Sequence, residues 1–207
     1  MNLLIIRHGQ SEADILNVYE GRADFALTEL GHKQATQMAK WVGSYMKPDK
    51  IYASTLQRAR QTAEKLSAAT GIPIQYEDAL MEWNNGLIAG LSKDEASKKY
   101  PQPNPKFPHT AMYNQESDID FRTRAETILS KIINENLPES KIAIVSHGGM
   151  ISRLFQSFMG LPMISNTFIY SGDTGVHHLQ IDTSAVGDSR NRRIVFLNSQ
   201  AHLAGSH

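Results

Sequence analysis

Two unbroken apolar runs, LLII at 3–6 and IAIV at 142–145, constrain this chain more than any other feature. Neither alternates as a half-exposed strand would, and both are too short for a helix. Runs of this kind belong to strands covered on both faces, as in a parallel sheet with helices above and below. The intervening segments agree. Thr28 precedes a stripe of Ala35, Met38, Ala39, Val42 and Met46 that Pro48 ends. Residues 50–53 read as a second strand, and Ser54 or Thr55 as the cap of a helix with Leu56, Ala59, Ala63 and Leu66 on one side. Gly71 and Pro73 stop that helix, and 73–76 reads as a third strand. Ser117 caps a helix through Phe121, Ala125, Ile128, Leu129 and Ile132; a strand at 142–146 follows, then a helix marked by Ile151, Leu154, Phe155 and Phe158. Residues 176–181 and 193–197 read as closing strands, a hairpin around Gly187.

Strands alternating with helices predict a three-layer α/β/α sandwich, with a mainly parallel sheet of about six strands and helices on both faces. Residues 1–207 are read as a single domain. The stretch 101–109, PQPNPKFPH, excludes a regular helix or a central strand, and 91–116 reads as a small flap inserted into the core. Phe107, His109, Met112 and Tyr113 offer it an apolar wall. The end, 204–207, reads as the remnant of an expression tag.

Charge narrows the partners. Lys+Arg and Asp+Glu both number 21, which leaves no global footprint for nucleic acid or an anionic membrane. Cysteine is absent, so neither a disulfide framework nor a cysteine metal site is available. The first apolar run is too short for a signal peptide and no stretch approaches bilayer length, so the expectation is a cytoplasmic protein. His177 and His178 are neighbours in a strand and face opposite sides; they are poor joint ligands, and no metal site is expected.

Chemistry concentrates at strand ends, where open α/β sheets bind ligands. Arg7 and His8 follow the first strand, His147 follows the strand at 142–146, and Arg58 lies in the first turn of a helix that follows a strand. Singly, each histidine reads as a structural residue, Arg58 as a solvated helix residue and Glu82 as a surface carboxylate. Together they suit an anion. Free N–H groups and the positive dipole end favour one at a helix start, arginine forks match phosphate oxygens, and a cationic His147 would add a further donor. Charged hydrogen bonds of about 1.5–3 kcal/mol each would hold a phosphoryl group.

Five segments then carry a resemblance: RHGQSEAD (7–14), GRADFALTELGHKQA (21–35), STLQRARQTA (54–63), LMEWNNGLIAG (80–90) and SHGG (146–149). In this order the chain closely resembles the histidine phosphatase superfamily, also called the phosphoglycerate-mutase-like family, from residue 3 to about 155. The resemblance implies that His8 is the nucleophile, forming a phosphohistidine. It implies that Arg7, Arg58, His147 and Gly148 bind the phosphoryl oxygens, and that Glu82 protonates the leaving alkoxide, with catalytic roles for His8, Glu82 and His147. It implies no cofactor and no metal. The substrate it implies is a small phosphorylated metabolite.

Departures from the family pattern lie at the rim formed by Asp14, Glu20, Gly21 and Arg22. Asp14 stands where the family often has Asn, Glu20 where it often has Gln, Arg22 for a common Trp, and Ala89 for a common Glu. The two carboxylates are expected to turn away or to bind Arg22 and Arg7. The alternative is that they tune the pocket toward a less negative substrate. A phosphatase is favoured over a phosphoglycerate mutase, since Lys93, Lys98, Lys99 and Lys106 fall short of the mutases' arginine-rich lids. A catalytically weak relative that binds phospho-ligands or a protein is the further alternative, and a homodimer through the closing strands or the flap is compatible with the pattern.

Overall fold

The computed structural model describes residues 1–104, 106–182 and 191–204. Six strands form one sheet: β1 (Asn2–Arg7), β2 (Lys50–Ala53), β3 (Ile74–Tyr76), β4 (Lys141–Ser146), β5 (Val176–Asp182) and β6 (Asn191–Ser199). Their spatial order is β3-β2-β4-β1-β5-β6. The first four run parallel, and β5 and β6 pair antiparallel at one edge. Among the described residues six α-helices accompany them: α1 (Glu12–Leu16), α2 (Glu29–Met46), α3 (Gln57–Thr70), α4 (Lys93–Lys99), α5 (Asp118–Asn134) and α6 (Gly148–Phe158).

The apolar runs do what a doubly covered strand must. Leu3 and Ile5 of β1 and Ile142 and Ile144 of β4 point into a core built with α5 and α6, around Phe121, Ile128, Leu154 and Phe155. Leu4 and Ile6, with Ala143 and Val145, point the other way, against Met38 and Val42 of α2 and Ala63 and Leu66 of α3. Strand side chains alternate while both faces stay dry, so every position must be apolar. Each such fully buried branched side chain contributes about 1.5–3 kcal/mol. The result is the expected α/β/α sandwich.

Local chemistry sets most boundaries. The Thr28 hydroxyl accepts from Gly31 N–H and the Ser117 hydroxyl from Asp120 N–H, capping α2 and α5. Gly71, at φ 74°, closes α3 in the left-handed conformation. One cap differs from expectation. Neither Ser54 nor Thr55 caps α3; Leu56 holds the cap position, and the Gln57 N–H donates to Asp24 Oδ1 (2.6 Å), a carboxylate from a distant loop.

The inserted stretch carries α4 and two tethers. Tyr19 N–H donates to the Leu91 carbonyl (2.8 Å), and Gly90 N–H to the Tyr19 carbonyl (2.7 Å). The hairpin turn at Gly187 and residues 205–207 of the tag-like end lie outside the described residues.

Candidate active site

Strand register assembles the site. Arg7 lies opposite Ser146 and Ala53 opposite Val145. One residue further out, His8, Ser54 and His147 are brought to the same carboxyl edge. The His8 N–H donates to the Ser146 carbonyl and the Ser54 N–H to the Val145 carbonyl, both at 3.0 Å. The His8 and His147 rings sit 5.1 Å apart between centroids, and both are buried.

His8 Nδ1 lies 2.7 Å from the Gly9 carbonyl. A carbonyl can only accept, so Nδ1 carries the hydrogen and Nε2 keeps its lone pair. Arg58 Nε–H donates to that lone pair (3.2 Å). The rest of the Arg58 guanidinium is held by loop carbonyls, Nη1 on Ala23 (3.1 Å) and Nη2 on Gly21 (2.8 Å). Arg7 reaches the same edge with Nη1 on the Ser171 carbonyl (2.8 Å) and Nη2 at 3.5 Å from Asp173. Arg7, His8, Arg58 and His147 therefore gather as the sequence implied.

Burial, followed by the positive fields of Arg58 and Arg7, holds the His8 imidazole well below its usual pKa, although its bond to the Gly9 carbonyl pulls the other way. His147 is held low by burial first, then by Arg58, His8 and Arg7. Burial and the neighbouring guanidinium groups thus disfavour the cationic His147 that would have added a further charged donor. Its Nε2 bonds Ser54 Oγ (2.8 Å), while its Nδ1 is buried without a partner, as are Arg7 Nε and Glu20 Oε1. Three orphaned polar atoms around one imidazole mark the space a ligand would satisfy.

Glu82 sits at the start of α6. Its carboxylate accepts from the N–H groups of Gly149 (2.8 Å), Met150 (3.1 Å) and Trp83 (2.8 Å). A side chain at Gly149 would strike that carboxylate. This helix start is thus met by a side chain of the protein itself. The first turn of α3 likewise gives an N–H to Asp24, and Arg58 acts there through its side chain rather than through a free helix end.

The rim follows expectation at Asp14 and departs from it at Glu20. Asp14 accepts from the Ser11 N–H (2.8 Å) and hydroxyl (3.0 Å) and lies 3.9 Å from Arg7. Glu20 pairs with neither Arg7 nor Arg22; its Oε2 is 3.1 Å from Arg58 Nε and 3.8 Å from His8 Nε2. Arg22 lies 3.8 Å from Glu116 instead and donates weakly to the Glu82 carbonyl (3.4 Å). Gly21, at φ 49°, leaves no room for a side chain against Asn85, and Gly148 opens α6 beside Arg7.

A cavity of about 390 Å³ opens beside Glu20 and Glu82, walled by Trp83, Phe121, Phe168 and Arg153. Phe107, His109, Met112 and Tyr113 are not among its lining residues; Phe107 stacks on His109, and Tyr113 meets Tyr100. The expected flap wall is therefore supplied from elsewhere, by Trp83 after β3, Phe121 on α5 and Phe168 after α6.

Residues 3–186 match the histidine phosphatase superfamily, branch 1. The chain belongs to that superfamily. This histidine phosphatase is 28% identical over 171 residues to a glucosyl-3-phosphoglycerate phosphatase of Mycobacterium tuberculosis, covering 78% of this chain and 76% of that one. It is 32% identical over 169 residues to a broad-specificity phosphatase of Saccharomyces cerevisiae (75% and 69% covered). It is also 38% identical over 173 residues to a 2,3-bisphosphoglycerate-dependent phosphoglycerate mutase of Chelativorans (77% and 82% covered). Among solved structures, the α-ribazole phosphatase of Shigella flexneri superposes with a TM-score of 0.85 over 97% of each chain, at 23% identity, a likeness of fold.

Several residues of this histidine phosphatase's site escaped the sequence reading. Thr62 accepts from Gly9 N–H (3.2 Å) and donates to the Arg58 carbonyl (2.8 Å), locking the loop after β1 to α3. It lay within a quoted segment without being given a role. Ser171, Asp173 and Phe168 come from a loop with no sequence signal; their placement follows from the antiparallel return of β5 beside β1.

Proposed function

We propose that this histidine phosphatase hydrolyses the monoester of a small phosphorylated metabolite in the cytoplasm, by transfer of the phosphoryl group to His8 and then to water. The observation that carries the reading is the His8 ring: the Gly9 carbonyl holds its Nδ1–H, and the Nε2 lone pair faces Arg58. That nitrogen attacks phosphorus and the ester P–O bond breaks. Arg7, Arg58 and His147 bind the phosphoryl oxygens and the two guanidinium groups offset their charge, so no metal ion is required. Glu82 gives its proton to the departing alkoxide. It then takes one from the water that attacks the phosphohistidine, and phosphate leaves.

The mutase reading has the Chelativorans relative in its favour. The cations around the leaving-group cavity speak against it. Arg22 lies near Glu116, Arg124 pairs with Glu116, and Arg153 and Lys106 share Asp118. Two carboxylates thus serve four cations, which partly offsets the positive charge available to hold an acid while its phosphoryl group migrates.

The test is hydrolysis of para-nitrophenyl phosphate with EDTA present. Turnover lost in His8→Ala, together with an acid-labile phosphoprotein in the wild type, is the expected result. Turnover that survives in His8→Ala overturns the reading. Supplying 3-phosphoglycerate with 2,3-bisphosphoglycerate should yield inorganic phosphate; 2-phosphoglycerate as the main product would establish the mutase instead.

A further inference from the structure

Glu20 stands where a phosphate pocket should be positive. Its Oε2 lies 3.1 Å from Arg58 Nε and 3.8 Å from His8 Nε2. Both terminal nitrogens of Arg58 are turned to the carbonyls of Ala23 and Gly21, so Nε–H is the donor directed at His8, and Glu20 shares it. A phosphorus atom within bonding reach of His8 Nε2 must carry its oxygens into the space that the Glu20 carboxylate fills. Two anions in one buried site repel strongly, and one of them must move or take up a proton.

The surroundings prepare Glu20 for the proton. Its other oxygen, Oε1, is buried without a donor. Desolvation raises its pKa most and Asp14 raises it further, against the pull of Arg58, the Ser11 hydroxyl and Arg7. In His8 and His147, which share the site, burial and the same arginines disfavour the protonated form. Glu82, across the cavity, is engaged by three backbone N–H groups.

We propose that Glu20 is a proton-operated gate on the phosphoryl pocket. As a carboxylate it occupies Arg58 and keeps a phosphate dianion out. As a carboxylic acid it releases Arg58 and donates its O–H to a phosphoryl oxygen. The proposal rests on the phosphatase reading above. Binding a dianion then draws one proton from solvent, and a phosphomonoester monoanion, which brings its own proton, binds directly. The group does not serve as the water-activating base, since attack on a phosphohistidine comes in line from the side opposite Nε2, and Glu20 lies beside Nε2.

Sulfate is the probe: a tetrahedral dianion that does not titrate between about pH 5 and pH 8. Its Kd is measured against pH for the wild type, Glu20→Gln and Glu20→Ala. Wild-type affinity should fall about tenfold per pH unit once Glu20 has ionised. Glutamine keeps the volume and donates at every pH, so Glu20→Gln should bind at least tenfold more tightly at the alkaline end, with a slope one proton shallower. His8 and His147 face the same site in all three proteins, so the difference isolates Glu20. Glu20→Ala should share the shallower slope. A slope in either variant parallel to the wild type, or equal affinity at alkaline pH in Glu20→Gln, overturns the gate. Sulfate binding needs no turnover, so those results leave the His8→Ala test standing on its own. Failure of sulfate to bind any of the three at acidic pH removes the anion pocket itself.

Discussion

Arg58 reaches His8 through one N–H because two loop carbonyls already orient the other end of its guanidinium. A lysine has no fork to be held in this way, and its ammonium would lose both the aim and the second donor. Arg58→Lys should therefore lower kcat/KM for para-nitrophenyl phosphate at least about tenfold, in keeping with the loss of one charged hydrogen bond. A near-normal value would remove Arg58 from phosphate binding. Glu82 makes a different demand. A phenolate leaves with little need of a proton and an alkoxide does not, so Glu82→Gln should slow alkyl phosphates far more than aryl ones. Gly149→Ala should show the same split, because the added methyl group displaces the Glu82 carboxylate. Equal losses on both substrate types would end the acid role. His8, Arg58 and Glu82 were legible in the chain because each sits in a recognisable motif. Glu20 was legible as an oddity, but its partner was not: nothing in the sequence says that it turns to Arg58 rather than to Arg7 or Arg22.

Helix α3 shows how an element can depend on a distant residue. Its first N–H groups have no capping hydroxyl, and Asp24 supplies the missing acceptor from the loop after α1. The same loop offers the Gly21 and Ala23 carbonyls to Arg58, so cap and site are joined. Asp24→Ala should cost about 1 kcal/mol of stability, read from the urea midpoint. It should also raise KM more than it lowers kcat, as Arg58 loses its alignment. Unchanged KM with reduced stability would separate the cap from the site. The caps at Thr28 and Ser117 could be read directly because they are contiguous with their helices; the α3 cap could not, because its acceptor lies 33 residues away. Hydrophobic periodicity identified the buried stripes of α2, α5 and α6 for the same reason of locality.

Across the whole molecule, burial of histidines ties stability to pH. His177 accepts from the Asn198 N–H at Nδ1 (3.1 Å), which leaves Nε2–H for Ser171 Oγ (2.7 Å). Only the neutral ring satisfies both, and burial lowers its pKa to about 4. The unfolded chain, near 6.5, binds the proton first. Stability is therefore full above about pH 6.5 and declines as pH falls toward 4, where the folded ring also protonates. His177 alone accounts for on the order of 3 kcal/mol across that window. His8 and His147 act in the same direction. A urea midpoint measured against pH should fall through this range, and His177→Gln should flatten it by one proton; an unaltered slope would locate the titration elsewhere. What the sequence determined alone was local: apolar runs that require cover on both faces, periodic helices, and a set of motifs that named the family. Tertiary structure decided which groups meet. Parallel register set His8 against His147, the antiparallel return of β5 brought Ser171 and Asp173 to Arg7, and Glu20 closed on Arg58. Patterns repeat along the chain and can be read along it, whereas contacts and protonation states depend on distances and burial that exist once the sheet has assembled.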